Sequence, residues 1–417
     1  MTVHRSTPFV ATLAVLILIL SSSCGDSGPP GSPDGGLDAS DARIRDVEPD
    51  VVDAIVRPDA RPDTGWCGEN PFPGVDPNAI PLTADPPLWF NPYLSRDGTA
   101  IVYSHQHSVT GDTMNDLFLF DLSSWSETRL TDSADSFQGS PSIRGSILVW
   151  TDSKYSIGSG TSWNEIVSYD LRGAVETRLT DSTDRKAGTI FNGRHVAYER
   201  WPTGMTSELR LLDLETHDDI LLCPREWKPG DVSIGDRYVT WVAIPPWRPD
   251  WNRDVFIYDI ETGETIHLDT PTSYQFMTSV HGSRVVWMDD RYGRWDIYLY
   301  DIENGDEMGL TGGPFDQVSP RIFGNLVTFN DYSFTLGWAG NVDCAIDIQI
   351  MDLDTGVTRR VTSLPWFWWA LPGEGGLLLA GLFEDPSLSN KSKLYMFDLV
   401  AMGILDPTGQ HVLPEPP

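Results

Sequence analysis

Histidine is the side chain whose number and spacing would most readily reveal a catalytic metal centre, because at least three protein ligands must usually converge on the ion. The 417-residue chain has eight histidines. His105 and His107 stand two residues apart, but two ligands do not make a catalytic metal site. The sequence also lacks the motifs of serine-hydrolase elbows, zinc peptidases and phosphate-binding loops. We therefore predict no metal, no cofactor and no catalytic residue.

Acidic side chains dominate the charge. The chain has 60 acidic residues against 29 lysines and arginines, a formal net charge of −31. This balance disfavours nucleic acid and anionic lipid surfaces as partners.

Seven aspartates end similar apolar runs, and no Asp-x-Asp-x-Asp-Gly calcium loop accompanies them. We interpret them as turn residues whose carboxylates accept hydrogen bonds from the next backbone N–H groups. They are Asp121, Asp170, Asp213, Asp259, Asp301, Asp352 and Asp398.

The spacing of these aspartates reveals a repeat. The intervals between them are 49, 43, 46, 42, 51 and 46 residues. Each aspartate ends a strand such as "IYLYDI", and a polar turn and a further strand follow. A Gly-containing hairpin, as in "SVHGSRVVWMDD" at 279–290, precedes each of these runs. Four strands in a period of this length are typical of a propeller blade.

The third strand of each unit indicates how the units pack. In "DIYLYDI" at 296–302, Ile297 and Leu299 alternate with Tyr298 and Tyr300, so both faces are apolar. Blades stacked around an axis bury both faces of such a strand, whereas the strands of a two-layer sandwich usually keep one polar face. The sequence thus predicts an all-β fold, a seven-bladed β-propeller of four-stranded antiparallel blades at 79–410, with a tail at 411–417.

A propeller ring must also be closed. Residues 79–84, "AIPLTA", repeat the blade-ending pattern "ETRLTD" of 127–132, yet they precede the first blade. We predict that they supply the outer strand of the seventh blade. Residues 403–410 could supply that strand instead.

The repeat resembles a known family. "SRDGTAIVYS", "NDLFLFDL" and "ETRLTD" are similar to the TolB-like, WD-like β-propeller repeat of bacterial envelope proteins, over about residues 79–403. Ser95 to Gly98 keep most of the family's first signature, and the other blades shorten that turn. The resemblance implies the fold. It does not imply one function, because such propellers serve as binding platforms and also as modules in lyases and peptidases.

The first 65 residues suggest export. Residues 1–23 have a basic start, a twelve-residue apolar run and small residues, a pattern typical of a secretory signal peptide. Cys24 follows "LSSS", which resembles a lipoprotein signal and predicts lipidation of Cys24; an ordinary signal peptide is the alternative. Residues 24–65 are rich in Asp, Pro and Ala and predict a disordered tether, followed by a leader at 66–78. The expected location is the envelope of a Gram-negative cell, such as that of a myxobacterium, at the outer membrane.

Three cysteines remain after Cys24, so they cannot all pair. We predict a disulfide between Cys67 and Cys344, because the leader adjoins blade seven and Cys344 lies in neighbouring blade six. Cys223 is then a buried thiol.

Tryptophan is concentrated on one predicted face. In an up-and-down blade, the loops between the second and third strands emerge with the connections between blades, on what we call the connection face. The hairpin turns emerge on the opposite turn face, where His195, His217 and His281 lie; His267 falls in an outer strand. We predict a ligand-binding surface on the connection face. Its residues are Trp163, Trp201, Trp227, Trp247, Arg248, Trp251, Trp338, Trp366, Trp368 and Trp369, with Trp295 at the margin.

These tryptophans could alternatively pack against each other as a lid over the core. The sequence favours a non-catalytic binding or scaffold protein that recognises an envelope protein or a glycan. A carbohydrate-active enzyme, either a polyuronide lyase or a hydrolase, is the second hypothesis, and a purely structural scaffold is the third.

Overall fold

The computed structural model describes residues 77–82, 88–89, 95–96, 100–106, 115–132, 136–155, 164–182, 184–202, 206–248, 252–270, 273–332, 347–362, 367–372, 377–383 and 391–405. The predicted signal peptide at 1–23 and tether at 24–65 lie outside these ranges, as do most of the leader and the tail at 411–417. Within the described part of the chain, no helix is long and apolar enough to span a bilayer.

The described residues form seven antiparallel sheets, one for each predicted blade. The chain is therefore an all-β, seven-bladed propeller. Blade 1 contains β3 (Ser95–Arg96), β4 (Ala100–Gln106), β5 (Asn115–Asp121) and β6 (Ser126–Arg129); blade 2 contains β7 (Gln138–Arg144), β8 (Ile147–Asp152), β9 (Glu165–Asp170) and β10 (Val175–Arg178); blade 3 contains β11 (Arg185–Phe191), β12 (His195–Trp201), β13 (Glu208–Asp213) and β14 (Asp219–Cys223).

The remaining blades follow the same order. Blade 4 contains β15 (Gly230–Ile234), β16 (Tyr238–Ala243), β17 (Asp254–Asp259) and β18 (Thr265–Leu268); blade 5 contains β19 (Gln275–His281), β20 (Arg284–Asp289), β21 (Asp296–Asp301) and β22 (Asp306–Gly309); blade 6 contains β23 (Gln317–Phe323), β24 (Leu326–Asp331), β25 (Asp347–Asp352) and β26 (Thr358–Arg360); blade 7 contains β27 (Phe367–Pro372), β28 (Leu377–Phe383) and β29 (Lys391–Asp398).

The seventh blade takes its outer strand from the start of the described chain. Two short segments, β1 (Ile80–Pro81) and β2 (Leu88–Trp89), pair antiparallel with β29. Ile80 lies opposite Met396 in this pairing. The alternative outer strand, at 403–410, does not form over its described part: Ile404 and Leu405 pack instead into the core cluster of blades 6 and 7. The N-terminal prediction of ring closure is thus confirmed.

Third strands are buried on both faces, as the alternating apolar pattern predicts. In β21, Ile297 and Leu299 are 0% and 4% exposed and pack toward blade 6. Tyr298 and Tyr300 of the same strand pack toward blade 4. Each blade therefore contributes to two hydrophobic layers, and the core is a ring of such layers between neighbouring sheets.

The seven strand-ending aspartates act as turn residues. Asp259 Oδ1 accepts hydrogen bonds from the N–H groups of Glu261 and Thr262 at 2.9 and 3.4 Å. The other six carboxylates accept equivalent bonds from the backbone two residues on. Arg237 adds a further bond to Asp259, and together these donors lower the pKa of Asp259 to about 2. The prediction of a structural role for these aspartates is confirmed.

First strands line the axis and carry a repeated bulge. In blades 2 to 6 the pairing with the second strand shifts at the same point. The residue at that point has a left-handed backbone, with φ between 50° and 66°. These residues are Ser140, Gly188, Asp231, Met277 and Ser319. A bulge locally strengthens the strand twist and redirects side chains, here at the rim of the axial channel.

Serine hydroxyls tie neighbouring first strands together two residues after the bulge. Ser142 Oγ accepts the N–H of Phe191 at 3.0 Å, from blade 3 to blade 2. Ser233 and Ser279 accept the N–H groups of Val280 and Ile322 in the same way, each at 3.2 Å. The corresponding residue of blade 3 is Ile190. The first strands are thus held together by hydrogen bonds to serine hydroxyls as well as by apolar packing.

Candidate functional site

Exposed aromatic side chains gather on the connection face of blades 4 and 5. Trp247, Tyr274 and Tyr292 are 50%, 41% and 71% exposed. Trp201 and Trp295, on the same face, are partly buried. The turn face also carries an exposed aromatic side chain, since Trp125 in the last turn of blade 1 is 50% exposed.

Trp227 and Trp247 were both predicted to face a ligand, but only Trp247 is exposed. Trp227 is 7% exposed and belongs to the core cluster of blades 3 and 4. Trp247 lies edge-on against Trp227, with ring centroids 5.2 Å apart. The prediction of a ligand-facing Trp227 is therefore wrong, because this ring is buried. The buried ring of Trp227 instead packs against Trp247 and limits its movement.

Arg248, also predicted to face a ligand, is turned inward. Its side chain is 8% exposed, and Nη2 lies 2.8 Å from Oδ1 of Asp254, a fully buried carboxylate. The same nitrogen contacts Asp269, and His267 Nε2 lies 2.9 Å from Asp254 Oδ2. A buried carboxylate is costly without a cation beside it. The role of Arg248 is therefore to pair with Asp254.

Three of these residues form a possible metal-ligand set. One ligand atom each of Asp254, His267 and Asp269 lie within 4.8 Å of one another. Arg248 already supplies positive charge to both carboxylates. A metal ion would have to displace this guanidinium, so the arrangement fits an ion-paired network better than a metal centre.

A group of arginines and aromatic rings lies where the axial channel meets the connection face. Arg253 stacks over the ring of Phe276, the second residue of β19, with 5.3 Å between Cζ and the centroid. Trp295 and Tyr274 contact the same ring at 5.6 and 6.4 Å between centroids. In blade 3, Arg185 lies 5.0 Å over Trp201. We call Arg185, Arg253 and Arg321, with these rings, the channel mouth.

Arg321 brings a third guanidinium to the channel mouth. It belongs to the first strand of blade 6, and it is half-buried. Burial lowers the pKa of Arg321, and the nearby Asp231 of blade 4 offsets part of this effect. Because blades 4 and 6 are not neighbours, this interaction reaches across the channel.

Two carboxylates accompany the three arginines. Burial raises the pKa of Glu199; a hydrogen bond from Ser207, Arg253 and Arg185 act in the opposite direction, and Asp231 adds to the rise. Within the described residues, neither Arg185, Arg253 nor Arg321 forms an ion pair with a carboxylate. Most other described arginines do, as Arg200 does with Asp184 at 2.6 Å. Among the described residues, the channel mouth thus holds three guanidinium groups without an ion-pair partner, in a chain with a net charge of −31.

Buried carboxylates also recur at the start of the third strands, with a cation beside them. Asp116 pairs with Arg129 at 2.5 Å, and Glu165 with Lys186 at 2.9 Å. Asp347 lies 3.7 Å from Arg360. In blades 1, 2 and 6 an arginine of the outer strand lies opposite the residue two places after the acid. In these three blades, the repeat therefore supplies a cation next to the buried carboxylate.

Blade 5 departs from that rule. Its acid is Asp296, 6% exposed, and the outer-strand position opposite Tyr298 is Gly309. Thr311 Oγ1 lies 3.5 Å from Asp296 Oδ1. Burial, together with the charges of Asp316 and Asp289, raises the pKa of Asp296 to about 7. This carboxyl has no cation partner among the described residues.

Several predicted site residues lie outside the described part of the chain: Cys24, Cys67, Trp163, Trp251, Trp338, Cys344 and Trp366. The pairing of Cys67 with Cys344 therefore stays a prediction. Trp368 and Trp369 lie in β27, the axial strand of blade 7, and not in the preceding connection as expected. Cys223 is a buried thiol, which confirms that prediction.

Solved structures that are similar to this chain include β-propeller domains. The propeller domain of the trilobed protease from Pyrococcus furiosus matches with a TM-score of 0.54 and 14% identity, over 73% of this chain and 94% of that one. Puromycin hydrolase matches with a TM-score of 0.54 and 14% identity, over 80% of this chain and 58% of its own. The likeness is one of fold.

The family resemblance of the sequence receives limited support. TolB from Acinetobacter baumannii matches with a TM-score of 0.40 and 13% identity, over 72% of this chain and 80% of that one, a score too low to support an argument. No protein-family model matches the chain, and no curated protein matches it. Membership of the TolB-like family therefore stays a prediction.

The arginines of the channel mouth were missed by sequence reasoning. Arg185 begins β11, and Arg253 immediately precedes β17. Their positions at strand ends on the connection face could have been read from the repeat. Their lack of carboxylate partners could not, because pairing depends on how side chains from different blades meet.

Proposed function

We propose that the protein is a non-catalytic binding platform of the bacterial cell envelope, which recognises a protein or glycan partner through aromatic side chains of the connection face. A lipid on Cys24 and the acidic tether at 24–65 would hold the propeller to the membrane. The observation that carries the proposal is the exposure of Trp247, Tyr274 and Tyr292 on one face.

The support of Trp247 by Trp227 favours a binding role. An exposed ring that is already held in place loses little conformational freedom when a partner covers it. Aromatic side chains of this kind often provide most of the binding energy at an interface. Trp247 rests on a buried ring 5.2 Å away, so it is preorganised for contact.

Two tryptophans with equal exposure give a matched test. Trp247 on the connection face and Trp125 on the turn face are each 50% exposed. Residues 66–417 would be immobilised and offered detergent-solubilised host envelope and an oligosaccharide array. Trp247→Ala should weaken capture of the retained partner by about 2 kcal/mol, or roughly thirtyfold. Trp125→Ala should bind like the wild type.

Stability must be measured on the same variants. Trp247→Ala should change the free energy of unfolding by less than about 1 kcal/mol, whereas Trp227→Ala should cost about 3–5 kcal/mol because it empties a core position. Equal capture by a stable Trp247→Ala variant and the wild type would contradict the proposal. So would equal weakening by Trp125→Ala, since loss from both faces would indicate non-specific adhesion.

A further inference from the structure

We propose that the channel mouth binds the free C-terminal carboxylate of a basic peptide. This inference rests on the proposed function, because the channel mouth belongs to the same connection face. It adds the chemical class of the partner and the end by which the partner is held.

The first step is the unpaired charge. Arg185 and Arg253 stack over Trp201 and Phe276 at 5.0 and 5.3 Å, and neither forms an ion pair within the described residues. A ring contact on the face of a guanidinium does not use its N–H donors, which point outward in the guanidinium plane. These donors can form two parallel hydrogen bonds to one carboxylate.

The second step is convergence. Glu199 lies close enough to both Arg185 and Arg253 that each influences its pKa, and Asp231 connects Glu199 electrostatically with Arg321. A Cβ placed on Gly230 would lie 2.8 Å from Arg253 Nη1, so Arg253 lies directly over the start of the axial strand β15. The guanidinium groups of blades 3, 4 and 6 therefore share Glu199 and Asp231 as electrostatic neighbours.

The third step is the sign of the surroundings. The chain has a net charge of −31, which repels a polyanion and attracts a cation. Two acidic residues lie next to the rings of the channel mouth: Asp290 accepts a hydrogen bond from the N–H of Tyr274, and Asp316 accepts one from the N–H of Trp295. A ligand that fits this pattern carries one negative charge at its centre of contact and positive charge beyond it. The C-terminal end of a basic peptide has this distribution.

The fourth step is the apolar contact. Tyr274 is 41% and Met277 36% exposed, and Tyr274 stacks on Phe276, the ring under Arg253. Apolar side chains next to the peptide carboxylate could pack on these two residues. Alternation of aromatic and cationic groups therefore favours a chain with a charged end over a small inorganic anion.

The test uses two synthetic heptapeptide libraries of identical random composition, one with free C-terminal carboxylates and one with C-terminal amides. Immobilised residues 66–417 would be offered each library, and retained peptides would be quantified by mass spectrometry. The wild type should retain the free-acid library about tenfold better, as expected for one charge-assisted hydrogen-bonded contact. Retained peptides should be enriched in Lys and Arg away from the C-terminus.

Variants locate the contact. Arg253→Gln and Arg185→Gln should each reduce the preference for the free acid to about twofold or less. Arg284→Gln is the matched control, because Arg284 lies on the turn face and bonds to Asn325 at 2.8 Å; it should keep the tenfold preference. If Arg321→Gln does not fold, the other two variants still decide the result.

Three results would overturn the inference. Equal retention of acid and amide by the wild type would do so, and if partner capture still depended on Trp247 the proposed function would survive. A tenfold preference that Arg253→Gln and Arg185→Gln leave intact would place the carboxylate elsewhere. Retention of a glucuronate-terminated tetrasaccharide through Arg253, with no peptide retained, would assign the channel mouth to a glycan.

Discussion

Replacing Asp296 by Asn should stabilise the protein in alkaline solution, because it exchanges a buried titratable carboxyl for an uncharged amide of nearly the same shape. The pKa of Asp296 is raised from 3.8 to about 7. The folded protein therefore holds a proton between about pH 4 and pH 7 that the unfolded chain has released. Stability from this proton is complete below pH 4 and is lost as the pH rises through 7.

The magnitude follows from the size of this pKa difference. About three pKa units, at about 1.4 kcal/mol each, correspond to about 4 kcal/mol between pH 4 and pH 8.5. Local relaxation reduces such values, so we expect a gain of about 2–4 kcal/mol for Asp296→Asn at pH 8.5 and almost none at about pH 3, below both pKa values. Urea unfolding of both proteins at a series of pH values, followed by tryptophan fluorescence, measures this difference.

A matched control occupies the same place in another blade. Asp116 also begins a third strand, but Arg129 lies 2.5 Å from it. Asp116→Asn removes one partner of a buried ion pair and should cost about 1–3 kcal/mol. If Asp296→Asn lowers stability at pH 8.5 as Asp116→Asn does, Asp296 is stabilised in its charged form and the reasoning is refuted.

Three further predictions concern the repeat, the ring and the anchor. Gly309→Arg should place a guanidinium beside Asp296, as in blades 1, 2 and 6, and should flatten the pH dependence of unfolding between pH 4 and pH 8.5; an unchanged profile would contradict this. Deletion of residues 1–78 should leave cooperative unfolding, whereas deletion of 1–86 removes β1 and should lower the melting temperature and promote association through the exposed edge. Cys24→Ser should move the protein from the detergent phase to the aqueous phase or leave an unprocessed precursor, and lipid-free wild-type protein by mass spectrometry would exclude the anchor.

Much of the fold could be predicted because the sequence states it seven times. A third strand that is apolar on both faces and ends in aspartate, recurring every 42 to 51 residues, specifies a blade without reference to distant contacts. Even closure of the ring is written locally, since residues 79–84 repeat a blade-ending pattern.

The candidate site was less predictable, because it depends on which side chains meet. Trp227 and Trp247 both lie in connections, yet one is buried beneath the other. Arg248 follows an exposed residue but turns toward Asp254. The free state of Arg253 depends on the absence of a partner among the described residues of other blades, which no local pattern encodes.

The serine links between first strands imply that local opening between neighbouring blades is easier at some seams than at others. Ile190 stands where blades 2, 4 and 5 have Ser142, Ser233 and Ser279, so the seam between blades 3 and 4 lacks the serine link of the seams 2/3, 4/5 and 5/6. In hydrogen-exchange measurements, the amide of Ile234 at this seam should exchange sooner than that of Val280 or Ile322. Arg185 and Arg253 lie on either side of the same seam. A ligand bound by both would therefore link blades 3 and 4 and slow the exchange of the Ile234 amide.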